Sequence, residues 1–590
     1  MKWQLGLAVL AAAVLQTRTS PPTEVSIAEI ERTLHAIDVD RTAASDGERA
    51  SAEHLDRKLT EYKVAHEKHN VPLFLSWPGR ATVAIAGLPD MTAKTAAFAG
   101  ATPPEGVTGT LVIDPTLTRR VDQTLQFEPG VRGRIPIVHG IADTEALVLA
   151  GQRAGARAIV QIDATNTLHE DIVTTIWGTP TTESATRMPA IPFVTITKSD
   201  GDRLRAAAAK EAVTARVTAE VTRGWRSEPI VVAEVPGASP AFVLVATHLD
   251  AWYRGMTDTG GSVASILEMA RVLQKHQGDL ARGVRFAWWT GHSFGRYAGS
   301  AWYADRFWTE LDRYCVAYTN LDGPGRRGSR IDAVSASGWP GLAEYTRESA
   351  VRISGKTPAG GRPSTALDAG GRVFRPGRDS DSSFQGLGIP FFSIGVPGPT
   401  QASGDIDAAG RVAYWHAPDD TFDKLDLRAL ELDTQYRVAQ LYELATMPTL
   451  PHLIEPIAAS YVAALKDLFS SSGNAFDLRS TLALATELDV AAARFDRAPR
   501  SDAAAFNTLV VRLTHELNST LYTKAGRFDQ DPAAALPVLP LLARAKDLAT
   551  LPKNSDESGF LETELTRGRN AVEDTLRRAL EEIANYEGRR

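Results

Sequence analysis

Phe242-Val243-Leu244-Val245-Ala246-Thr247-His248-Leu249-Asp250 opens the stretch that decides the fold, followed by Asp258-Thr259-Gly260-Gly261 and the helical pattern Ser262 to His276. The apolar run Phe242 to Ala246 does not alternate, so it reads as a short strand buried on both faces rather than on one. The polar strand end and the glycine pair then break the pattern before the helix begins. Downstream, Val284 to Trp288 and Ile389 to Ile394 read as further strands and Pro340 to Ser354 as a helix. Alternation of this kind from Val231 to about Met447 predicts an α/β unit, a mixed and mostly parallel sheet flanked by helices.

Open α/β sheets bind ligands beyond the carboxyl ends of their strands. Three motifs fall there: Thr247 to Asp250 with Asp258 to Gly261, Asn320-Leu321-Asp322, and Trp415-His416-Ala417-Pro418-Asp419-Asp420-Thr421. Cys315 is the only cysteine, so no internal disulfide forms and no multi-thiolate metal site can be built. A metal in this chain must use imidazole and carboxylate. Asp250 is expected to accept the free ring N–H of His248 and so fix its tautomer. The plainer reading of each residue, a satisfied polar group, stays open.

At 590 residues the chain needs several domains. Met1-Lys2-Trp3 and the apolar run Leu5 to Leu15 predict a signal peptide over residues 1–20 and a secreted or periplasmic protein; a retained anchor is the alternative, since no Ala-x-Ala follows. Ile27, Ile30, Leu34 and Ile37, then Leu55, Leu59 and Tyr62, predict two amphipathic helices. A strand from Val71 to Trp77 ends at Pro78-Gly79, a turn signal that reads as a domain border. One domain is thus expected over 21–79 and 229–447, interrupted by 80–228. The stretch 80–228 holds short strands (Gly109 to Asp114, Gly133 to Gly140, Ala156 to Asp163) and a helix, Thr144 to Ala154. Residues 448–590 read as a helical domain, as in Leu561 to Tyr586. A net charge of −7 without a Lys/Arg block argues against nucleic acid or anionic membrane. A peptide or small molecule remains as partner, and no later apolar run reaches membrane-spanning length.

Val243 to Leu273, Phe286-Ala287-Trp288-Trp289 to Gly299-Ser300, Tyr318 to Asp322, and Trp415 to Asp426 together resemble the co-catalytic zinc aminopeptidase superfamily that contains glutamate carboxypeptidase and the transferrin receptor. Arg134 to Gly140, Gly155 to Ile162 and Pro189 to Thr197 resemble a protease-associated domain, which implies an inserted, β-rich lid or substrate-positioning unit. The C-terminal region, with Leu521-Tyr522-Thr523 and Asp529-Gln530-Asp531, is similar to the family's dimerisation domain and implies a homodimer. The resemblance implies that His248 and Asp322 bind one metal, that Asp258 bridges two, and that His416 binds the second.

The chain departs from the family at its paired glutamates, one a general base and one a ligand of the second metal. Trp289-Thr290-Gly291-His292-Ser293 places His292 at the base position and Ser293 at the ligand position. Two divalent ions bring four positive charges, and only Asp258 and Asp322 remain to balance them, so one zinc ion is expected, held by His248, Asp258 and Asp322. His416 then completes the sphere or faces substrate, and Asp379 or Asp381 is a candidate replacement acid. His292 is expected to act as acid or base, as an imidazole with an ordinary pKa near 6.5 can. Trp415 stands where the carboxypeptidase branch has an oxyanion-supporting tyrosine, with Tyr414 adjacent; Trp252 and Tyr253 suit a pocket floor or plain packing. Arg372, Arg375 and Arg378 suit a substrate carboxylate or a solvated loop. The reading is a metal-dependent hydrolase of an amide-type bond in a peptide or small conjugate. A lyase or C–O hydrolase on the same site, and a non-catalytic receptor descended from a peptidase, are the alternatives.

Overall fold

The computed structural model describes residues 20–119, 124–140, 143–209, 212–358, 381–473, 475–534 and 536–589. The leader expected over residues 1–20 lies outside these except for its last residue, as do Arg372, Arg375, Arg378 and Asp379. Among the described residues no helix is long and apolar enough to cross a membrane.

The strand Ser239–His248 lies one in from the edge strand Cys315–Asn320 of the sheet, parallel to it on one side and to Arg282–Trp289 on the other. Thr214–Val235 pairs antiparallel with Arg282–Trp289, and Ala65–Ile85 pairs antiparallel with Thr214–Val235. Side chains of Ser239–His248 go alternately to two cores, as a strand covered on both faces requires. Val243 and Val245 join the cluster of Ile30, Leu34, Leu55, Ile266 and Leu441, whereas Phe242, Leu244 and Ala246 join that of Leu73, Trp289, Tyr303 and Phe384. The first cluster runs without a break into the C-terminal helices through Tyr461, Leu465, Leu517 and Leu576.

The expected border at Pro78-Gly79 is not a turn. Ala65–Ile85 runs straight through it beside Thr214–Val235, with a register shift between Pro78 and Ala81. The proline occupies a bulge, where the ladder does not need its missing N–H. Both long strands therefore cross the expected borders at 79/80 and 228/229. Their far halves close a ring of strands with Met91–Thr95, Phe193–Ile196, Ile159–Ile162, Ile135–His139 and Val107–Ile113. Val83, Ile137, Val160, Val194 and Val217 fill its interior.

Beyond the helix Leu427–Thr446 come the long helices Glu455–Ser471, Arg479–Arg497, Ala503–Tyr522 and Asp556–Gly588. They pack against the end of the sheet opposite the strand-end motifs: His452 Nε2 bonds Val316 O at 2.8 Å, and His515 Nδ1 bonds Asp312 O at 3.1 Å.

Candidate metal centre

Each strand of the parallel trio delivers one part of the site. His248 is the last residue of its strand; His292 and Ser293 follow the strand ending at Trp289; Asp322 follows the strand ending at Asn320. Asp258 lies in the turn just before the helix Gly261–Lys275, and its peptide bond to Thr259 is cis. His416 comes from the loop before the helix Leu427–Thr446, at a positive φ of 55°.

These residues converge. Among the described residues, ligand atoms of His248, His292 and Asp322 lie within 4.8 Å of one another. His248 Nε2 is 3.9 Å from Asp258 Oδ1, and His416 Nε2 is 3.1 Å from Asp258 Oδ2. The imidazoles of His248 and His292 stack at 3.6 Å, and Trp415 stacks on His416 at 3.5 Å with Trp252 at its edge. His248 is fully buried, His292 and His416 are nearly so, and Asp322 is exposed, which opens the cluster to solvent on that side.

The expected partnership of Asp250 is corrected by the geometry. His248 Nδ1 bonds the main-chain carbonyl of Asp250 at 2.6 Å, while the Asp250 carboxylate stays 4.0 Å away. That carboxylate instead accepts the N–H groups of His292 at 3.0 Å and Ser293 at 3.1 Å. Gly291, at φ 70°, makes the turn that presents both donors. Asp250 thus holds the loop bearing His292 and Ser293, and burial raises its pKa.

Asp381 proves to be the acid beside His292. Its Oδ2 lies 2.7 Å from His292 Nδ1, and its Oδ1 accepts Ser300 Oγ at 3.0 Å. Burial works against charge on His292, but Asp381, with Asp322 and Asp250 beyond, outweighs it and lifts the pKa to about 9. Burial likewise opposes charge on Asp258, yet the hydrogen bond and charge of His416, with His248 and Arg326, hold it well below the usual carboxylate range.

Several supporting groups escaped the sequence reading. Arg41, fully buried, donates to the carbonyls of Leu249 at 3.0 Å, Ile37 at 3.1 Å and Gly255 at 2.9 Å. Asp420 accepts the N–H groups of Thr257 at 2.9 Å and Asp258 at 3.1 Å. The strand ring contributes as well: His416 Nδ1 donates to Glu170 O at 3.0 Å, and Glu170 N returns a bond to His416 O at 3.0 Å. The Glu170 side chain meets Lys94 and Tyr253, so Tyr253 ties the ring to the site. Only the Asp-Asp pair after His416 offered a sequence signal for any of these. Tyr414 Oη is buried without a hydrogen-bond partner in the described residues.

The donor set suits a divalent cation: the imidazoles of His248 and His292 and the carboxylate of Asp322 lie close enough together to share one. Independently, His248 Nε2 and Ser293 Oγ are buried with no hydrogen-bond partner in the described residues. Buried polar atoms are rarely left so.

A parallel-centred sheet with histidine and aspartate gathered at its carboxyl edge is the fold of the zinc aminopeptidases. Residues 230–438 match the model of Peptidase family M28. The chain is similar to the probable lipoprotein aminopeptidase LpqL of Mycobacterium tuberculosis, 25% identical over 323 residues, which are 53% of this chain and 60% of that protein. It is also similar to the aminopeptidase YwaD of Bacillus subtilis, 26% identical over 270 residues, 45% of this chain and 54% of the relative. The match thus spans between half and two thirds of these relatives' length. Among solved structures, BSAP, a zinc aminopeptidase from Bacillus subtilis, superposes with a TM-score of 0.52 at 18% identity, covering 72% of this chain and 96% of that one.

Proposed function

We propose that the protein is an exported, zinc-dependent hydrolase that cleaves an amide-type bond in a peptide or small conjugate. The observation that carries this is the gathering of His248, His292 and Asp322 within 4.8 Å of one another at the sheet's carboxyl edge, with Asp258 3.9 Å from His248 Nε2 and 3.1 Å from His416 Nε2. The names of the aminopeptidase relatives support a substrate with a free amino terminus, and the lipoprotein name of one of them supports export.

A zinc ion bound there supplies Lewis acidity toward a carbonyl oxygen and makes water acidic enough to attack near neutral pH. Asp250 fixes the turn that aims His292, and Asp381 holds His292 Nδ1, so Nε2 is the ring atom left to face the ligand cluster. Glu170 fixes the His416 ring so that its Nε2 meets Asp258. In hydrolysis the C–N bond breaks, the water oxygen stays on the acyl carbon, and a proton passes to the leaving nitrogen.

Loss of the glutamate pair favours one other reading, a non-catalytic binding protein on the same scaffold. Purified protein is expected to contain zinc and to hydrolyse at least one member of a panel of aminoacyl and peptide amides. Chelation is expected to abolish the activity reversibly. Protein without bound metal and without turnover on any panel member sinks the hydrolase and leaves the binding protein.

A further inference from the structure

We propose that His292 is a ligand of the metal and not the base that its position in the family implies, so that one ion is held by His248, His292 and Asp322. The inference rests on the reading of the site as a metal centre.

His248, His292 and Asp322 are a group whose candidate ligand atoms all lie within 4.8 Å of one another. In both imidazoles Nδ1 is already committed, to the Asp250 carbonyl at 2.6 Å and to the Asp381 carboxylate at 2.7 Å. That leaves Nε2 of each ring for the ion, and a ligating imidazole typically donates its other ring N–H to a carbonyl or carboxylate in this way. Asp381 is itself fully buried and anchored, by Ser300 Oγ on its carboxylate and by Tyr318 Oη at 3.2 Å on its main-chain carbonyl. The two rings are stacked, 3.6 Å between centroids and 13° from parallel, so ligation by both requires one imidazole to tilt out of the stack as the ion binds. Binding displaces the Nε2 proton of His292 while the Nδ1–H bond to Asp381 stays intact.

The opposite side of the site agrees. Ser293 carries no charge, and its buried Oγ has no hydrogen-bond partner in the described residues, so the family's second ion loses its anionic ligand. His416 Nε2 and Asp258 Oδ2 face each other directly at 3.1 Å in that region. With Asp258 and Asp322 as counter-charges, one divalent ion is balanced.

The test is a titration of chelator-stripped protein with Co2+ and then Zn2+, read by metal stoichiometry, competition affinity and the visible spectrum of the Co2+ form. Wild type is expected to take up one equivalent tightly. H292A and, separately, D381N are expected to weaken affinity about 10- to 100-fold, with an altered Co2+ spectrum and an unchanged far-UV circular dichroism spectrum. If either variant fails to fold, the other and H292Q carry the comparison. Two tight equivalents in wild type overturn the proposal. So does an H292A protein that keeps wild-type affinity and spectrum while losing hydrolysis, which makes His292 a base and leaves the hydrolase reading standing. Expected titrations without turnover on any substrate remove the hydrolase reading and leave this inference intact.

Discussion

Asp250 shows how a residue can be found for the right reason and given the wrong job. Its place two residues after His248 marked it as a support, and it is one, but through its carbonyl toward the ring and its carboxylate toward the next loop. Which oxygen served which donor was decided by the Gly291 turn on a neighbouring strand, beyond any local pattern. D250A leaves two buried N–H groups without their acceptor and is expected to lower stability by about 3 kcal/mol, whereas D250N costs about 1.5 kcal/mol because one acceptor oxygen remains. Urea unfolding with an unchanged m-value checks both. Arg41 was illegible for the converse reason: it comes from the N-terminal segment, and its acceptor at Leu249 lies 208 residues away. His248, His292 and Asp322 were legible as candidates because each ends or follows a strand whose apolar run announces it, whereas Asp258 and His416 lie in a turn and a loop before helices.

Among the elements, the helices Thr144–Ala154 and Pro340–Ser354 have the bounds that apolar periodicity gave. The Val71 strand was found but cut short, since Pro78-Gly79 has the same composition in a bulge as in a turn. Long-range strand pairing decided between the two, and no local window contains it. The contact between residues 163–171 and the His416 loop was equally invisible. There Arg411 Nη2 bridges to Asp163 at 2.9 and 3.1 Å, and His169 Nδ1 bonds Trp415 O at 2.5 Å. R411A removes a part-exposed ion pair and is expected to cost no more than about 1 kcal/mol. Hydrolysis is nonetheless expected to fall about 3- to 10-fold, since small displacements of a positioned group are costly. Metal content is expected to stay unchanged. Steady-state rates beside metal analysis of the same preparation decide it.

For the whole molecule, the mostly parallel α/β sheet and the helical C-terminal region were readable from changes in periodicity. The way the helices seat on the sheet was not, because it depends on buried polar contacts such as those of His452 and His515. Burial lowers the pKa of His452 to about 3 and of His515 to about 4, against Val316 O and Asp312 O respectively, which favour the proton. Both folded values lie below the unfolded value of about 6.5. Between those limits the unfolded chain binds protons that the native one does not, so their contribution is complete above pH 6.5 and is lost as pH falls toward 4 and then 3. Stability is expected to drop by at least about 2 kcal/mol from pH 6.5 to 4. The double variant H452Q/H515Q is expected to flatten that slope, as urea midpoints across the pH series will report.

The two long strands that serve both the sheet bearing the candidate site and the ring carry an arithmetic of their own. Val71, Leu73 and Leu75 point into one core and Ala81, Val83 and Ile85 into another, with the spare residue of the bulge between them. Chain can be added or removed there only in steps of two; a single residue more or less would turn one half inside out while leaving the other correct. The joint therefore works as a parity lock, under which the two cores can drift in sequence but not slip by one.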